Sequence, residues 1–215
     1  MRVFLLSPAS SHGRRARLLF NESATFELAR KVRTRRGAPL GEVFGFLSGL
    51  YFRGKLAYAQ AFARTPRPMA GVHIITPSRG LVSPHVHITL TDLREFAAVP
   101  IDLAEPRYRE PLESCTQSLA EQIARARSSQ PAEVVLLGSI ASDKYLSVLT
   151  RAFDTQLRFP HEFVGRGDMS RGGLLLRCVD DGQELTYIPL AGAVRHGARP
   201  PRLEKRPGIL KRVMP

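Results

Sequence analysis

Four short segments hold most of the residues in this chain that can do chemistry. The first is GRGDMSRGG, residues 165–173, with four glycines in nine positions. Glycines let a ligand approach the backbone closely. Arg166 and Arg171 can hold phosphate, Ser170 offers a hydroxyl, and Asp168 is a carboxylate suited to general-base work or to stabilising positive charge. The competing reading is a glycine-rich turn in which Asp168 pairs with its own arginines. The second segment is LLGSIASDKY, residues 136–145, where Gly138 and Ser139 end an apolar run and Asp143 and Lys144 open a helical one. Exposed amides at a helix start favour an anion. Lys144 can hold phosphate or stabilise a leaving group, and Asp143 is a second candidate carboxylate. The bland alternative is a helix capped by Ser142.

The third segment is TPSRGLVSP, residues 76–84, in which Ser78 and Arg79 can contact a base or phosphate, or simply build a turn. The fourth is Ser7-Pro8, which stops the apolar run RVFLL. Phe44, Leu47, Tyr51, Lys55 and Tyr58 recur every three or four residues, so they form one helical stripe. Such a stripe is ordinarily core, yet Tyr51 at a pocket mouth can stack on a base. His85 and His87 alternate and point to one face, but no third ligand accompanies them, so no metal site is expected. Nothing implies a cofactor. No GxxxxGK[ST] occurs, which argues against P-loop nucleotide hydrolysis.

These segments need a scaffold. Residues 2–6, 71–76, 133–138 and 156–160 read as strands. Helical patterns cover 22–33 with Ser23 as cap, 40–64 bent near Gly49 and Gly54, 91–98 from Thr91, 112–128 and 143–153. The stretch SSHGRRAR and the Pro-rich VPIDLAEPRYREP read as loops. LLLRCV and ELTYIPL, on either side of a DDG turn, read as a hairpin, with a helix as the alternative for LLLRCV. Strands separated by helices predict an α/β three-layer sandwich with a mostly parallel central sheet. One domain spans 1–194, followed by a basic, Pro-rich tail over 195–215. In that architecture the carboxyl ends of the strands collect function, and the four segments converge there.

The chain has 215 residues and a net charge of +13. Residues 1–36 carry nine basic and two acidic side chains, 195–215 seven and one, and the middle is neutral. Arginine supplies 27 of the 32 basic residues, and its planar fork suits phosphate and base stacking. Two basic ends on a neutral body fit a polyanion-binding protein; a composition rich in arginine for unrelated reasons is the alternative. Two cysteines outside any CxxC exclude a disulfide framework and a structural zinc site. No apolar run reaches the roughly 20 residues of a membrane span. MRVFLLSP is too short for a signal-peptide core, so a cytoplasmic monomer is expected.

LSGLYFRGKLAYAQAF, HIITPSRGLVSP and ITLTDL, followed by VVLLGS, DKYL, FP and VGRGD, resemble a poorly characterised bacterial α/β family. The turn RGLVSP is similar to the uracil-DNA-glycosylase-like domain of archaeosine synthases, and MRVFLLSPA to the start of the DNA-binding peroxide-stress proteins. The resemblance implies a uracil-DNA-glycosylase-like sandwich that acts on a base in DNA, with RNA as the alternative substrate. The Gly-Gln-Asp-Pro-Tyr type motif and the His-Pro-Ser loop of true uracil glycosylases are absent, so uracil is not the implied base. A DNA glycosylase would use Asp168 or Asp143 as carboxylate. Lys144, Arg166 and Arg171 would hold phosphate or the departing base, with Ser7, Ser78, Arg79, Ser139, Ser170 and Tyr51 as further nucleic-acid contacts. A non-enzymatic DNA- or RNA-binding protein is the alternative.

Overall fold

The computed structural model describes residues 1–126, 131–193 and 197–204. In chain order the elements are β1 (Arg2–Leu6), α1 (Arg14–Phe20), α2 (Glu27–Arg33), β2 (Ala38–Pro39), α3 (Leu40–Ser48), α4 (Leu50–Phe62) and β3 (Val72–Ile75). Then come β4 (Leu81–Val82), β5 (His87–Ile88), α5 (Leu90–Ala97), α6 (Pro106–Arg125), β6 (Glu133–Leu137), α7 (Leu146–Phe153), β7 (Leu157–Pro160), α8 (Asp168–Asp181) and β8 (Tyr187–Pro189).

Six strands form one sheet in the order β4-β3-β1-β6-β7-β8. The inner four run parallel, and the two edge strands pair antiparallel to their neighbours. Val3–Leu6 and Val134–Leu137 are apolar at every position because helices cover both faces of the sheet, and all eight side chains are buried. The chain leaves β1 for β3 on one side, then returns past β1 to β6 and on to β7. Right-handed crossovers place α6 and α7 on the face opposite α3 and α4, and α6 lies against α7. α8 follows β7 and leads to the antiparallel edge strand β8; it returns to the first face and packs against α4. The order of strand addition reverses between β1 and β6, which makes their carboxyl ends a topological switch point. At the opposite end Arg2 pairs with Glu133 at 2.7 Å and with Glu184, and Tyr58 meets Tyr187 at 2.5 Å. Among the described residues no helix is long and apolar enough to cross a membrane.

Several local expectations change. GRRAR is not a loop: Ala16 and Leu19 bury one face of α1. The second helix starts at Glu27, not at Ser23. The long helical stretch divides at Gly49, whose φ of +66° only glycine adopts readily, while Gly54 lies inside an unbroken α4. Thr89, not Thr91, caps α5, in a reciprocal capping box with Asp92. Residues 106–111 are helical despite two prolines: Pro106 sits in the first turn where no amide hydrogen bond is lost, and Pro111 lies inside the helix, where one is given up. The expected end of that helix at 128 lies outside the described residues. The predicted LLLRCV strand is the last part of α8, which ends at Gly182 with φ +63°. Of the expected hairpin only Tyr187–Pro189 forms a strand, and it pairs with β7. Of the tail, residues 197–204 pack back on the domain: a Cβ on Gly197 would lie 2.5 Å from Val164, and Arg177 donates to the Glu204 carbonyl. The rest of 194–215 lies outside the described residues.

Candidate functional site

A cleft of about 530 Å³ opens at the switch point. Its floor is the turn after β1, with Ser7, Pro8, Ser10, Ser11 and His12. One wall is apolar: Pro77, Phe96, Val99, Pro100 and Ile101. The other carries Ser48, Tyr51 and Lys55 from α3 and α4, Ser139, Ser142, Lys144 and Tyr145 from the turn after β6, and Asp168 from the start of α8. Volume and lining suit a small organic ligand with one flat apolar face. A larger hollow lies outside this convergence, between α7 and residues 190–193.

One buried polar group in the cleft lining, Ser11 Oγ, has no hydrogen-bond partner among the described residues, and Tyr51 Oη is buried beside the Arg171 guanidinium. That guanidinium also donates to the Phe163 carbonyl at 2.9 and 3.2 Å, which fixes it against Tyr51. Buried polar atoms without partners are costly in a core and ordinary where a ligand or water completes them. Burial also pushes the Tyr51 phenol up.

Lys55 is 1% exposed. Its Nζ lies 2.8 Å from the Ser7 carbonyl and 2.8 Å from Ser7 Oγ, with the rings of Tyr51 and Phe52 each 4.8 Å away. Desolvation drives its pKa down to about 7; Asp168 opposes that shift and Arg171 adds to it. Tyr145 donates to the Ser139 carbonyl at 2.7 Å, and burial lifts its phenol to about 12. Gly138 is what lets Tyr145 approach Ser7, since a Cβ there would come within 2.8 Å of both Ser7 Cβ and Tyr145 Oη.

The fold brings five of the nominated residues together in this cleft: Ser7, Tyr51, Ser139, Lys144 and Asp168. Asp168 is largely exposed at the first position of α8, where the helix N-terminus favours a negative charge. The other nominees point elsewhere. The Asp143 carboxylate accepts from the Ser147 amide at 2.8 Å, so it and not Ser142 caps the start of α7, and it faces the outer hollow. Arg79 pairs with Asp92 and Glu95, both at 2.5 Å, and Ser78 donates to Glu95. Their turn is structural, with Gly80 at φ +58° against Pro111 and Cys115, and only Pro77 of it reaches the cleft. Arg166 donates to the Glu162 carbonyl and to Ser170 Oγ, and Arg171 binds Phe163, so these side chains tie the turn after β7 to α8. Among the described residues no three His, Cys, Asp or Glu side chains group as a metal site; His87 contacts the Arg36 carbonyl.

Lys55 was visible only as a member of the helical stripe. A lysine between Tyr51 and Tyr58 on an apolar face is anomalous, because lysine is almost never fully buried without a partner. Ser11, His12 and Tyr145 gave no comparable signal. Comparison with family models, with curated proteins and with solved structures returns no match.

Proposed function

We propose that this chain acts on nucleic acid as an N-glycosylase, that its sandwich is of the uracil-DNA-glycosylase-like kind, and that the switch-point cleft receives a base turned out of the stack. The observation that carries this reading is the cleft itself: an apolar wall facing hydroxyls and amines, a carboxylate at the mouth, and a buried serine hydroxyl, Ser11 Oγ, without a partner among the described residues. A flat base needs such a wall for stacking and such donors for its edge. The basic surface supports the choice of a polyanion. Arg14, Arg15 and Arg17 are exposed on α1, directly after the cleft floor, and Arg14 and Arg15 line a hollow shared with Met169, the neighbour of Asp168.

In this reading Phe96, Val99 and Ile101 hold the base, and Lys144 and His12 hold the flanking phosphates. Asp168 stabilises positive charge as it develops on the sugar. Water adds hydroxide to C1′ as the N-glycosidic bond breaks, and the departing base takes the remaining proton. Genomic DNA and DNA with modified bases, incubated with the full chain, should accumulate abasic sites detectable with an aldehyde-reactive probe. Asp168→Asn should bind as well as the parent and release bases about a hundredfold more slowly, the scale of losing one catalytic group. DNA bound without abasic sites on any substrate would favour the non-enzymatic binding protein, a reading that exposed α1 also supports. An Asn variant as fast as the parent would remove Asp168 from the step.

A further inference from the structure

The glycosidic step leaves Ser7 and Lys55 unused, although their side chains meet at 2.8 Å in the cleft lining. A neutral amine has two protons and one lone pair. Lys55 Nζ donates to the Ser7 carbonyl and to Ser7 Oγ, both at 2.8 Å; once the amine is neutral, the same 2.8 Å separation lets its lone pair turn to Oγ and accept the hydroxyl proton. Tyr145 cannot reverse that bond by donating to Ser7, because its phenolic proton goes to the Ser139 carbonyl at 2.7 Å. The serine hydroxyl thus sits between an amine base and a phenol oxygen, at the end of a central strand, 9% exposed and lining the cleft.

We propose that Ser7 is an activated nucleophile, with Lys55 as its general base, and that the cleft takes a neutral carboxylic ester with its apolar group against Phe96, Val99 and Ile101. Nucleophile and base within hydrogen-bond reach are the minimum for such a centre, and serine–lysine pairs are one established solution. The Ser7 proton passes to Lys55 Nζ while Oγ bonds to the acyl carbon. The bond to the leaving alkoxide then breaks, and the Lys55 ammonium returns the proton to it. Water repeats the sequence on the acyl-serine, with Lys55 again the base, and releases the acid. No co-reactant beyond water is needed. The burial that holds Lys55 near neutrality keeps a large share of the amine unprotonated at pH 7. Asp168 and Arg171 from α8, Tyr51 on the same helix and Ser7 from the turn after β1 are the groups that face it.

The test uses a fluorophosphonate probe on the folded full chain, with peptide mapping by mass spectrometry. Ser7 Oγ should displace fluoride and carry the phosphonyl group, labelling should vanish in urea, and its rate should rise through pH 7. Ser7→Ala should abolish labelling and hydrolysis of p-nitrophenyl acetate. Lys55→Met should slow both by about a hundredfold. No label at Ser7, or equal labelling in Lys55→Met, overturns the proposal. Should Lys55→Met not fold, Ser7→Cys keeps the base in place, and a thiol no more reactive toward iodoacetamide at pH 7 than in the denatured chain also overturns it. Abasic-site release measured on the same preparations separates the two readings: label without base release refutes only the glycosylase, and base release without label refutes only the serine centre.

Discussion

Lys55→Met should change how stability depends on pH, in a direction that can be worked out. The folded chain holds the amine at about 7, well below its ordinary value of 10.5, chiefly through desolvation. Between those two values the unfolded chain binds a proton that the folded chain does not. Unfolding then requires proton uptake, so stability rises with pH across that window. The slope is about 1.4 kcal/mol per pH unit, and from pH 7.5 to 10 the gain is about 3 kcal/mol. Methionine keeps the length of the side chain and removes the titration. Its own offset, from leaving the Ser7 carbonyl without a donor, is the same at every pH and does not enter the slope. Tyr58 and Tyr145, both raised to about 12, act with the opposite sign above pH 10, because the unfolded phenols lose their protons first. Restricting the range to pH 7.5–10 and taking the difference between parent and variant removes them. Urea denaturation followed by circular dichroism at four pH values gives that difference. The parent should gain on the variant by about 3 kcal/mol across the range. Parallel curves would mean that the buried amine stays charged, and the general-base role of Lys55 would fall with it.

Gly172→Ala should cost about 1–3 kcal/mol, as overpacking against backbone does, since its Cβ would lie 2.8 Å from Tyr51 Cα and 2.9 Å from the Leu50 carbonyl. Gly167→Ala, with open space around it and an ordinary φ of −79°, is the control, and equal urea midpoints for the two would refute the close approach of α4 and α8. Arg14→Ala combined with Arg17→Ala should make the plot of log DNA affinity against log salt shallower by about two units, nearly one for each phosphate that is no longer neutralised; an unchanged slope would place the polyanion on another face.

The parallel core strands were legible because burial on both faces leaves a continuous apolar run, as in Val3–Leu6 and Val134–Leu137. Given those strands and their order, the convergence of Ser7, Ser139 and Asp168 followed from topology. The glycine-rich segment was misleading for a physical reason. Gly172 and Gly173 lower helix propensity and read as loop, but Gly172 lets α8 touch the backbone of α4, where a Cβ on Gly54 would in turn come within 2.7 Å of the Gly172 carbonyl. Tertiary packing outweighs a propensity cost of about 1 kcal/mol per glycine. LLLRCV carries no period that separates a buried strand from a helix, and its length alone could not decide. α1 was hidden behind Arg14, Arg15 and Arg17, since the two buried residues of that helix, Ala16 and Leu19, make too short a stripe to register as amphipathic.

Arginine count proved a poor guide to the site, and the reason bears on both proposals. Arg79, Arg166 and Arg171 stand near glycines in segments whose sequence suits phosphate binding. Each is instead satisfied within the fold, Arg79 by two carboxylates and the others by backbone carbonyls. A guanidinium has five donors, and a turn that leaves carbonyls unpaired offers it partners at no translational cost. A bound phosphate must displace those partners before it can take their place. Among the described residues, cations exposed outside such turns include Arg14 and Arg17 on α1 and Lys144 at the cleft mouth. Inside the cleft the reactive groups are hydroxyls and one amine that desolvation keeps near neutrality. A charged ligand would engage the rim, and only its uncharged part would reach Ser7 and Lys55. A base carried on a phosphate backbone and a neutral ester both meet that requirement, whereas a free phosphate buried at the floor would push Lys55 back toward its charged form and remove the base.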